Sequence, residues 1–208
     1  MTLPLLVVTA VAAEAEAVRA GADPAHVVVE PVGVGPAAAA AGTARLLATG
    51  RYRAVVSAGI AGGFPGRAPV GAVVLGARSI AADLGAETPD GFLPVEELGF
   101  GTSVVPADPA LLKALATELP HAIVGDVVTL STVTGTQSTA DRLAASYPQA
   151  VAEAMEGYGV AVAAAGFPFA ELRTISNAIG PRDRSAWRLK EAFAALSTAS
   201  GRLWTACG

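Results

Sequence analysis

Short runs of β-branched and Leu residues alternate along the chain with longer Ala-rich stretches, the pattern of strands and helices in turn. The apolar runs predict strands over 5–11, 27–32, 54–58, 70–79, 122–130 and 169–176. Helices are predicted between them, over 12–21, 36–49, 109–119, 138–146, 157–165 and 184–204. The second has Pro36 in its first turn and Gly50 just past its end, the usual asymmetry of helix termini. This order predicts an α/β fold in three αβα layers, a mixed sheet covered by helices on both faces. No linker interrupts the pattern, so residues 1–208 read as a single domain. A Gly/Pro-rich stretch over 83–106 is irregular and reads as a functional loop or a surface excursion.

Composition narrows the function classes. The 208 residues are 52% hydrophobic and 15% charged, enough apolar material for a core and too much for disorder. Ala supplies 47 positions, so much of that fraction is small side chain. No apolar run approaches the roughly 20 residues a spanning helix needs, and no membrane partner is expected. A net charge of −4 and a scattered set of twelve Arg leave no basic stripe for nucleic acid. The first residues lack a charged segment ahead of their apolar run, so a cytoplasmic protein is expected. Cys207 is the only cysteine, and His26 and His121 have no spaced partners, so neither a disulfide framework nor a metal site is expected.

Three segments carry candidate chemistry. Ser57-Ala-Gly-Ile-Ala-Gly-Gly63 follows an apolar strand, where small residues let a ligand approach the backbone. Neither its glycines nor Gly33-Val-Gly35 meets the dinucleotide spacing, so no cofactor is expected. Glu153-Ala-Met-Glu-Gly157 places two carboxylates before an Ala-rich helix, where a carboxylate could equally cap the helix. Arg173-Thr-Ile-Ser-Asn177 leaves an apolar strand, and an Asn there could equally be a turn former. Glu14 follows the first strand closely.

Taken in order, these motifs resemble the nucleoside phosphorylase and nucleosidase superfamily in its nucleosidase branch, most closely the futalosine hydrolases of menaquinone biosynthesis. The resemblance spans residue 5 to about residue 195. It implies a nucleoside phosphorylase-like fold, cleavage of an N-ribosidic bond and a homodimer or larger assembly. Glu14 then corresponds to the general base that deprotonates water, with Glu16 as the fallback although it would face away. Glu156 corresponds to the carboxylate that accepts from the ribose 2′ and 3′ hydroxyls. Met155 would floor the sugar or simply fill core. Ser57, Ala58 and Gly59 fall in the ligand-lining segment, and Thr132 and Val133 where the family contacts the base. Trp187 lies where relatives carry an aromatic near the ligand. Arg173 would pair with Glu14 or Glu156.

Asn177 departs from the adenosine-type nucleosidases, which carry Asp there. An amide cannot deliver a proton, but it can donate to a 6-oxo group and accept from N7–H, which favours hypoxanthine. Futalosine is an inosine-like nucleoside with an aromatic carboxylate on its 5′ arm, and Arg182, Arg184 and Arg188 are candidates to pair with that carboxylate. Two other readings stand beside this one. Methylthioadenosine-type hydrolysis or phosphorolysis is the neighbouring chemistry, though no early Arg marks a phosphate loop. A nucleoside-binding protein on the same fold is the non-enzymatic alternative.

Overall fold

A computed structural model describes residues 2–89 and 91–207; Met1, Asp90, Gly208 and the side chain of Cys207 lie outside the described residues. The chain runs β1 (Leu5–Thr9), α1 (Ala12–Gly21), β2 (Val27–Pro31), α2 (Pro36–Thr49), β3 (Ala54–Gly63), β4 (Val73–Ala81), β5 (Gly85–Thr88), β6 (Gly91–Pro94) and β7 (Val104–Pro106). It continues α3 (Pro109–Glu118), β8 (Ile123–Thr129), α4 (Gln137–Ser146), β9 (Ala150–Ala154), α5 (Gly157–Ala163) and β10 (Phe169–Ala178). A 3₁₀ turn over Arg184–Ala186 leads to α6 (Leu189–Ser200) and α7 (Leu203–Cys207).

The main sheet is mixed, ordered β10-β4-β8-β9-β3-β1-β2, with β7 on β4. Because β10 also pairs with β3, five strands close on themselves while β1 and β2 extend the sheet outward. Strand β1 shows why helices cover both faces. All five of its residues are buried. Leu5 and Val7 pack with Ala15 and Val18 of α1 and Leu196 of α6, while Leu6 and Val8 pack with Ala39 of α2 and Val160 of α5. Alternation along one strand thus feeds two separate apolar layers. Among the described residues no helix is long and apolar enough to cross a membrane.

The helices α1 and α2 have the bounds their sequence predicts, and the departures have local causes. Strand β3 does not stop at Ala58 but continues through the glycines to Gly63, flanked by β9 and β10. A Cβ at Gly63 would strike the carbonyl of Ala68, so close packing requires glycine inside the strand. Strand β4 begins at Val73 because residues 69–72 form a turn closed by Ala72 N–H donating to Pro69 O at 3.0 Å, with Gly71 at φ +85°. Strand β9 is absent from the sequence reading: its Ala-rich run has one β-branched residue and a charge. The stretch over 83–106 holds a β5–β6 hairpin and β7. The last predicted helix breaks at the 3₁₀ turn and again at Gly201.

Candidate active site

A cavity of about 620 Å³ opens at the carboxyl ends of β1, β3, β9 and β10, the usual position for a ligand in an α/β sheet. Its walls are mostly apolar, with a few convergent polar groups.

Glu14 is the third residue of α1, and its side chain reaches back over the helix start. Oε2 accepts from the backbone N–H groups of Ala10 (2.9 Å) and Val11 (3.3 Å), and Oε1 accepts from Ile60 N–H (2.9 Å). The carboxylate therefore caps its helix and also joins β1 to β3 at the cavity wall. Burial pushes its pKa above the ordinary glutamate value; the nearby Arg173 and the backbone donors oppose that rise. Gly59 makes the arrangement possible, because a Cβ there would lie 2.6 Å from Glu14 Oε1 and 2.8 Å from Arg173 Nη1.

Behind this wall Arg173 is buried among acids. Its Nε donates to Glu171 Oε1 at 2.9 Å, Nη1 to Glu156 Oε2 at 3.4 Å and Nη2 to Ser57 Oγ at 3.1 Å. It bonds Glu156 and not Glu14, which it influences through space. Glu171 is fully buried, also accepts from the Ser79 hydroxyl, and occupies the space a Cβ at Gly157 would fill. Burial pushes the Glu171 carboxyl up, against the pull of Arg173. Two carboxylates, Glu171 and Glu156, thus bond one guanidinium in a site screened from water, with Glu14 close enough to feel its charge. Glu156 closes the arrangement by accepting from Gly35 N–H at 3.3 Å, tying the 33–35 loop to the cavity.

The other end of the cavity is built differently. Strand β10 carries a bulge between Ile175 and Asn177, so Asn177 pairs with Gly62 instead of Gly63. The extra residue turns Asn177 away from the face that Arg173 occupies. Asn177 Nδ2 donates to Ala178 O and Oδ1 accepts from Ser176 Oγ, both at 2.9 Å. One N–H and one lone pair of the amide remain for a ligand. Trp187 lines this end, and the Arg182 guanidinium lies 5.6 Å from its ring centroid. On the facing side Glu153 accepts from Thr134 N–H at 2.7 Å and from the Thr134 hydroxyl. Burial pushes the Glu153 pKa up, while both Thr134 donors act in the opposite direction.

Of the residues singled out from sequence, Glu14, Val133, Met155, Glu156, Asn177 and Trp187 line the cavity. Ser57, Ala58, Gly59 and Arg173 stand behind it, and Thr132 is exposed beside it. Glu16 is exposed on the far side of α1. Arg182 lines the cavity, whereas Arg184 and Arg188 do not. Sequence reasoning missed Glu171 and gave Glu153 no task. A charge inside an apolar strand, two residues from Arg173 and so on the same face, is the signal that points to Glu171.

Comparisons with known proteins identify the family. The family model of the phosphorylase superfamily covers residues 10–207. A futalosine hydrolase of Streptomyces coelicolor is 52% identical, covering 96% of this chain and 94% of its own length. One from Thermus thermophilus is 36% identical, covering 82% of this chain and 78% of its own. The structure of a methylthioadenosine/S-adenosylhomocysteine nucleosidase from Colwellia psychrerythraea in complex with adenine superposes with a TM-score of 0.85 at 20% identity, over 99% of this chain and 96% of that one. That likeness concerns the fold, whereas the sequence relatives carry the nearer kinship. With the family model and the Streptomyces coelicolor relative each spanning nearly all of it, the chain belongs to the phosphorylase superfamily and, within it, to the futalosine hydrolase family.

Proposed function

We infer that the protein hydrolyses the N-ribosidic bond of futalosine, releasing hypoxanthine and the sugar bearing the 5′ arm. The observation that carries this reading is a buried carboxylate, Glu14, fixed by three backbone N–H groups at one end of a nucleoside-sized cavity whose other end holds a carboxamide. In the reaction the C1′–N9 electron pair leaves with the base as cationic character develops on the sugar. A water oxygen bonds to C1′ and its proton passes to Glu14. Fixed donors hold the carboxylate in place before the reaction, so its orientation requires no rearrangement during the step. Glu156 accepts from the adjacent ribose hydroxyls, with Met155 beneath the ring. The Asn177 amide donates to O6; solvent supplies the proton that N7 takes up as the base departs, and the amide oxygen accepts from that N7–H, while Glu14 returns its proton to solvent.

Hydrolysis fits the cavity better than phosphorolysis, because Arg182 is the only cation among the described residues lining it, against four acids, Glu14, Glu153, Glu156 and Asp183. Of the three arginines singled out from sequence, Arg182 alone lines the cavity, which supports it as the partner of the carboxylate on the 5′ arm. Val11, Val34 and Val133 line the cavity while 42%, 53% and 38% exposed, which supports a homodimer or larger assembly that covers its mouth. The protein acts in the cytoplasm in this reading. Incubation with futalosine in phosphate-free buffer, followed by chromatography, should yield hypoxanthine and a free reducing sugar. A requirement for phosphate with formation of a sugar 1-phosphate, or no release of base, would overturn the assignment.

A further inference from the structure

One buried acid in the cavity wall has no part in the chemistry above. Glu153 stands on β9, only 5% exposed, and lines the cavity. Its partner across β3 is Gly62, and the partner of Gly62 across β10 is Asn177. Directly paired residues project to one face of a sheet, so the carboxylate and the carboxamide stand on either side of Gly62. Gly62 has no side chain to fill the gap, and a Cβ there would lie 3.5 Å from Asn177 Nδ2. Two strand spacings, about 9.6 Å between backbones, separate the two groups and leave a slot for the edge of a planar ring.

The hydrogen bonds of Glu153 set what this slot can read. Thr134 supplies both donors, its backbone N–H to Oε1 and its hydroxyl to Oε2. The backbone N–H at the cavity lip is thereby occupied, and the wall presents the remaining lone pairs of a carboxylate in its place. A 6-oxopurine carries a hydrogen on N1, whereas a 6-aminopurine carries a lone pair there. An acceptor wall pairs with the first and leaves two acceptors opposed in the second. A carboxamide carries donor and acceptor alike, and a turn of its plane would let it meet an amino group as well; an ionised carboxylate offers acceptors only.

We propose that Glu153 is a specificity-determining residue that accepts the N1–H of a 6-oxopurine base, its carboxylate held in place by Thr134. The inference rests on the nucleosidase reading and states how that site separates oxo from amino bases. Two measurements test it. In the first, kcat/KM is compared for futalosine and its 6-amino analogue in the wild type and in Glu153→Gln. The oxo-to-amino ratio should fall roughly 10²-fold in the variant, the scale on which a site with a mismatched polar group loses discrimination. An unchanged ratio, whatever the absolute rates, overturns the proposal, because a merely structural role lowers both substrates together. The second needs no variant: hypoxanthine and 1-methylhypoxanthine are titrated into the wild-type protein. The methylated base should bind at least about 30-fold more weakly, and Glu153→Ala, which removes the acceptor and opens room, should bring the two affinities together. Equal binding by the wild type overturns the proposal even where the variants do not fold. A wild type that leaves futalosine intact contradicts the hydrolase reading instead, and the free-base titration still reports on Glu153.

Discussion

The two ends of the cavity are built on opposite principles. At the sugar end, Glu14, Glu156 and Glu171 surround Arg173, all are buried, and backbone N–H groups or serine hydroxyls take up much of the remaining capacity. At the base end, Asn177 and Trp187 are partly exposed, Arg182 is exposed, and Glu153 is the one buried charge. The contrast separates two tasks. A reaction that develops charge requires groups fixed in advance in a dry site. Selection among bases of one shape requires a few donors and acceptors whose mismatch is penalised. In the proposed reading the charged network governs whether the bond breaks, and the sparse polar edge governs which base leaves.

Removing the acid at the sugar end should have the largest effect. Glu14→Gln should lower kcat about 10²- to 10⁴-fold, the typical contribution of a general base, while hypoxanthine binding by calorimetry is retained. The pH profile sharpens the same point. Glu14 acts as a base only when ionised, and burial raises its pKa, so kcat/KM should fall with decreasing pH along a limb lying above the ordinary glutamate range. A flat profile through that region would remove Glu14 from the role.

Next in size is the buried network. Arg173→Met leaves Glu171 and Glu156 without their cation and should destabilise the fold by about 3–5 kcal/mol, the penalty for uncompensated buried charge. Denaturant unfolding measures it, and a loss below about 1 kcal/mol, the range of an exposed pair, would show that these pairings contribute little to the fold. The smallest effect is expected at the cavity rim. Arg182→Ala should raise KM for futalosine several-fold more than KM for inosine, which lacks the carboxylate, with kcat little changed. Equal shifts for the two substrates would dissociate Arg182 from the carboxylate.

Much of this contrast was legible along the chain, and the missing part has a physical reason. Helices α1 and α2 begin and end where Ala-rich periodicity and terminal Pro and Gly put them. Glu14, Met155, Glu156 and Asn177 were legible because each stands in a short motif at the boundary of an element, Glu14 in the first turn of α1, Met155 and Glu156 just before α5 and Asn177 near the end of β10. Strands β3 and β9 were obscure in part because Gly and Ala have little intrinsic preference for strands and are held there by their neighbours. Ser57, Ala58 and Gly59 read as lining groups but stand behind the wall, since a motif records proximity in sequence and not depth. The bond from Ser79 to Glu171 joins residues 92 positions apart, and the pairing of Glu153 with Gly62 depends on register between strands far apart in the chain. Neither leaves a local pattern. The bulge at Ser176, which directs Asn177 to its face, is likewise a property of the β10–β3 register.

The most direct test of the division of labour is base release by the wild type and by Asn177→Asp from futalosine and its 6-amino analogue in parallel. The wild type should prefer the 6-oxo substrate, and the carboxylate at 177, which has lost the amide donor for O6, should shift that preference toward the 6-amino substrate by tenfold or more, roughly the worth of one hydrogen bond to a charged group. Release of adenine in preference to hypoxanthine by the wild type, or an unchanged preference in the variant, would contradict the assignment of base selection to this edge.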